Sequence, residues 1–130
     1  MAAGRYSFTI EQGTTVNFEL AYKDADNNPF DLTGYDGKMQ IRPTPGSDVV
    51  YVTLSSSLDP DGTGLNFSGS NGINPPTSGT IGVFISANSS SQFDFSEAVY
   101  DLEIFTNSGD TTYVTRLLEG RTRLSPSVTR

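Results

Sequence analysis

Asp24, Asp26, Asn28 and Asp31 crowd one short stretch, "KDADNNPFDLTGY", and the first chemistry to test there is capture of a hard cation. An EF-hand loop takes oxygen ligands from positions one, three and five, needs Gly at six for a sharp bend and a bidentate Glu at twelve. Asp24, Asp26 and Asn28 meet the first demand, but position six is Pro29, whose ring fixes φ, and position twelve is Tyr35. No helical repeat flanks the stretch. It is expected to be a turn between strands, shaped by Asp and Asn side chains bonded to local backbone, by Pro29 and by Gly34. Neither a metal nor any other cofactor is expected. Two carboxylate pairs, Asp101 with Glu103 and Asp59 with Asp61, suggest glycoside hydrolysis, which needs two carboxyl groups flanking the scissile bond. Spacing of two puts Asp101 and Glu103 on one face of a strand, where solvated charge is the ordinary outcome. A Pro-Asp-Gly turn, Pro60 to Gly62, accounts for Asp59 and Asp61 without chemistry. No catalytic residue is expected.

The elements that must position these groups read as strands nearly everywhere. Tyr6, Phe8 and Ile10 alternate with polar residues, as do Val16, Phe18, Leu20 and Tyr22, with a Gly turn between the two runs. Met39 and Ile41, then Val50, Val52 and Leu54, then Ile81, Val83 and Ile85 mark three more strands. "AVYDLEIF" offers Ala98, Tyr100, Leu102 and Ile104 inward, and "TNSGD" turns the chain into "TTYVTRLLE" as its hairpin partner, with Val114 and Leu118 inward. Ser86 is placed to cap a short helical turn that Phe93 and Phe95 pin to the core. The stretch 55–78, rich in Ser, Gly and Pro, reads as a surface excursion with "LNF" as a short strand inside it. Seven or eight short strands imply an all-β chain, one antiparallel β-sandwich over 1–130.

Composition excludes several function classes. The 130 residues include no Cys and no His, which removes disulfides, thiolate and imidazole metal ligands, and the usual imidazole base. No run of about 18 apolar residues is present and "MAAGRYSFTI" lacks a signal-peptide pattern, so no membrane partner is expected. A formal net charge of −7 argues against nucleic acid, because neutralising phosphates takes clustered Lys and Arg. The charge is uneven. Arg116, Arg121, Arg123 and Arg130 face only Glu119 in the segment 116–130, leaving 4 basic and 14 acidic residues before it. This basic end is suited to docking on an acidic surface of another copy or another protein. Tyr51, Phe84, Phe105 and Tyr113 fall opposite the inward residues and are expected to serve either protein contacts or, in the alternative reading, carbohydrate binding or host-surface adhesion.

Two resemblances refine this. "SEAVYDLEI" sets Tyr100 two residues before the core position Leu102, which resembles the start of strand F in immunoglobulin domains, where the Tyr hydroxyl bonds back to backbone and fixes the corner. The Cys and Trp of antibody domains are absent, so only the sandwich architecture is implied. In addition "FDLTGY", "KMQIR", "GTIGVFIS", "YDLEI" and "YVTRLLEGRTRLSPSVTR", in that order, resemble a recurrent small immunoglobulin-like domain of tailed-phage virion proteins, above all those of phages infecting cyanobacteria. The likeness spans most of the chain, and the excursion 55–78 is longer than that pattern. It implies a non-enzymatic component of the tail, baseplate, neck or capsid surface, assembled in the host cytoplasm. Its partners would be other virion proteins and copies of itself, and no catalytic residues come with it.

Overall fold

The computed structural model describes residues 4–69, 72–108 and 110–128. They form an all-β structure of two sheets packed on one core. The strands are β1 (Gly4–Arg5), β2 (Phe8–Glu11), β3 (Val16–Ala21), β4 (Asp36–Arg42), β5 (Val52–Ser55), β6 (Gly64–Asn66), β7 (Thr80–Ile85), β8 (Glu97–Ser108) and β9 (Thr111–Ser125). One helical turn, α1 (Ala87–Ser90), follows β7, with Ser86 as its N-cap accepting the Ser89 N–H. The larger sheet runs β1-β9-β8-β4-β5, with β2 also on β9, and the smaller runs β3-β7-β6.

Apolar residues at every second position put one face of each strand against the opposite sheet. Met39, Ile41, Leu54, Leu102, Ile104 and Ile10 from the larger sheet meet Leu65, Ile81, Val83 and Ile85 from the smaller one, all fully buried. Val16, Phe18 and Leu20 alternate inward but are only half-buried, because β3 is an edge of its sheet. Phe93 and Phe95 close the end below α1. The excursion 55–78 contains β6, where "LNF" suggested a strand, and a short 3-10 turn at Pro76–Ser78.

Four expectations need correction. The sheets are not purely antiparallel: β1 and β2 both run parallel to β9, in registers Gly4 with Leu118 and Phe8 with Thr122. The chain breaks between those short strands at Tyr6, whose N–H bonds the Glu119 carbonyl and whose ring, expected inward, is 46% exposed. Val50 is exposed, because the fifth strand starts only at Val52. Val114, expected in the core, is 57% exposed. Its inversion has a definite cause. The β8–β9 register shifts between Leu102, opposite Leu118, and Glu103, opposite Arg116, so Leu117 is an inserted bulge residue. Strict alternation fails across a bulge. Leu117 and Leu118 are both buried, and every residue before them changes face.

The Tyr100 hydroxyl donates to backbone, and its acceptor is the Tyr6 carbonyl, 94 residues upstream. Gly120 makes this possible: a Cβ there would lie far inside van der Waals contact with that carbonyl. Burial first, and the neighbouring Tyr6 hydroxyl second, push the Tyr100 hydroxyl well above the ordinary tyrosine range, so it stays a donor.

Candidate functional site

Cross-strand partners share a face, and the registers lay the outer face of the larger sheet out in rows. Lys38, Glu103 and Arg116 form one row; Gln40, Asp101, Glu119 and Arg5 the next; Arg42, Val99 and Arg121 the third; Glu97 and Arg123 the last. With the loop through Pro45–Asp48 they border an open depression of about 780 Å³ in which Arg5, Arg42, Arg116 and Arg121 converge with Asp48, Asp101, Glu103 and Glu119. The basic segment is therefore part of a mixed-charge ladder from Arg116 to Ser125. Beyond Pro126, Ser127 still donates its N–H to Gln12, and Arg130 lies outside the described residues.

Each cation has a distinct setting. Arg116 reaches Asp101 at 3.4 Å and Arg123 reaches Glu97 at 3.9 Å; all four side chains are well exposed, and such pairs contribute little to stability. Arg42 is held in place, donating to the Ser47 carbonyl and to the Gln40 side chain at 2.8 Å. Arg121 sits across Val99 from Arg42, and its guanidinium makes no ion pair among the described residues. Alternating charge with a held Arg42 suits a polar protein surface better than a polyanion, since four carboxylates border the same depression. Sequence reasoning found Arg116 and Arg121 but missed Arg5 and Arg42, and only the register of β1 on β9 could have revealed Arg5.

The four aromatics do not form one surface. Tyr51 is half-buried and stacks on Phe95 at 4.6 Å, nearly parallel. Phe84 is half-buried beneath Gly62. Phe105 lies half-buried on the outer face opposite Val114, whereas Tyr113 pairs with Thr106 on the inner face, beyond the cover of the smaller sheet, and is 57% exposed. The bulge at Leu117 separates those last two.

The acidic clusters have structural duties. Asp24 accepts the N–H groups of Asp26 and Asn28, and Asp31 accepts that of Thr33. Hydrogen bonds from Thr33 hold the Asp31 carboxyl below its usual range. Pro29 bridges back to Lys23, and Gly34, at φ 82°, takes the left-handed backbone that ends the loop. Asp101 serves Arg116, with Glu103 on the same face. Asp61 does more than its turn suggested: it accepts the Ser86 hydroxyl at 2.6 Å, the Ser89 hydroxyl at 3.4 Å and the Thr63 N–H at 3.0 Å. These bonds, Ser86 foremost, lower its carboxyl to about 2 and tie the excursion to the start of α1. Compared with family models and with curated proteins, the sequence matches neither a family nor a relative.

Proposed function

We propose that the chain is a non-enzymatic, immunoglobulin-like structural component of a tailed-phage virion, working through assembly contacts with other virion proteins and with copies of itself. One observation carries the reading: the segments that resemble the virion pattern coincide with the frame of the fold. Asp-Leu-Thr-Gly ends the turn into β4, Met-Gln-Ile-Arg lies in β4, Gly-Thr-Ile opens β7, Tyr-Asp-Leu-Glu lies in β8 and Arg-Leu-Leu-Glu-Gly in β9. The strand order supports the immunoglobulin-like part. Variable-type sandwiches add strands beside C to the sheet holding C, F and G, and place B, E and D in the other. The orders β9-β8-β4-β5 and β3-β7-β6 fit that scheme, with the helical turn α1 ahead of β8.

The mixed-charge outer face is the docking surface in this reading. Its test is location. An antibody against the purified chain, applied to particles of a phage whose genome encodes it, should place label at a fixed position on intact virions, and the chain should co-sediment with them. A chain found only in the soluble lysate would overturn the proposal.

A further inference from the structure

The two sides of β9 are covered unequally. Toward its end, Leu118 and Glu119 pair with β1 and Thr122 to Ser125 with β2, while Thr111 to Arg123, apart from the bulge, pair with β8 on the other side. From Thr111 to Arg116 no strand among the described residues pairs with the outer side, and all six residues are exposed. Free strand edges template pairing with another chain, and proteins usually blunt them with Lys, Pro or a bulge. This edge has neither Lys nor Pro, and its bulge lies behind it at Leu117. It reads Thr-Thr-Tyr-Val-Thr, a run of residues that favour strands.

We propose that this edge pairs antiparallel with the same edge of a second copy, continuing the larger sheet across a two-fold axis at Tyr113. The sequence is self-complementary in that register. Tyr113 opposes Tyr113, Thr112 opposes Val114, Thr111 opposes Thr115, and Asp110 opposes Arg116 at both ends. Aromatic, β-branched and opposite-charge pairs are the cross-strand combinations that stabilise a sheet. A two-fold contact makes each of them twice except the central one. Among the described residues β3 also ends its sheet, and it carries Glu19 in its middle, which self-pairing would set close to its own copy. The inference rests on the assembly reading only in taking a copy of the chain as partner.

Sedimentation velocity on the full chain across a concentration series tests it. Wild type should show a monomer–dimer equilibrium. Tyr113→Lys, which sets two ammonium groups against each other on the axis, should raise the dissociation constant roughly tenfold or more with an unchanged melting transition. Asp110→Arg and Arg116→Asp should each weaken association, and the double variant should restore it. A wild type that stays monomeric throughout, or association indifferent to Tyr113→Lys, or a double variant as weak as the singles, would overturn edge pairing. Particle labelling is a separate readout, so the virion reading can fail or stand without it.

Discussion

Residues 118–125 and 111–116 belong to one continuous strand and share one partner in β8, yet they live in different environments. The first stretch is sandwiched between β8 and the parallel strands β1 and β2, and Leu118, Thr122 and Leu124 are buried. The second has β8 alone and buries nothing. Residue type does not distinguish them, since Val114 is as apolar as any core residue here. Coverage by a second neighbour and by the opposite sheet does. Half-buried strands become core only where something lies on them.

The largest expected break falls where cover is tightest. Gly120→Ala drives a methyl group into the Tyr6 carbonyl and should cost about 3 kcal/mol or more, as overpacked sites do. A denaturant melt displaced by less than about 1 kcal/mol would show that β1 and β2 shift without penalty. Tyr100→Phe keeps the ring and leaves the same carbonyl without its donor, at a cost of about 1–2 kcal/mol. Because both variants act on one contact, their effects should be less than additive in the double variant.

Next comes a loop held by distant partners. Asp61→Asn should lower the melting midpoint above pH 5, and the gap from wild type should close as acid is added. The hydrogen bonds to it, Ser86 foremost, lower its folded carboxyl from the ordinary 3.8 to about 2. The stabilisation is thus present above about pH 4 and lost as pH falls toward 2. A gap constant down to pH 2 would remove the carboxylate from the account. The Asp24 carboxylate, which accepts the N–H groups of Asp26 and Asn28 beside it, is its opposite, and melts with calcium and with chelator should coincide. The smallest effect belongs to the free half of β9: Val114→Thr should stay within about 0.5 kcal/mol of wild type. A larger loss in dilute solution would mean that this half is covered after all.

The all-β class, the β8–β9 hairpin, the Ser86 cap and the inward Ala98, Tyr100, Leu102 and Ile104 were legible because period-two alternation and turn residues are local signals. Three features were not. The bulge at Leu117 leaves only a faint mark: the adjacent leucines of "RLLE" interrupt the alternation, but which of them is the inserted residue depends on the partner's register. Parallel pairing of the first strands with the last is a non-local choice. Arg5 and Arg42 join Arg116 and Arg121 only through that pairing and the β4–β8 register, so the outer-face depression could not be read from charge along the chain. Asp61 looked like an ordinary turn residue, because its partners Ser86 and Ser89 lie some 25 and 28 positions away.

The parallel pairing of β2 with β9 also sets an order in time. Phe8 and Thr122 are neighbours in the sheet, so β2 has no place to go until β9, made far later, exists. During synthesis the chain grows at about 5–20 residues per second, and β3 to β8 can begin to meet while the opening strands wait unpaired. Closing so long a loop is a slow, entropically opposed step. Folding is therefore expected to finish at β9, in a single late closure that gives the beginning of the chain its neighbours and Tyr100 its acceptor.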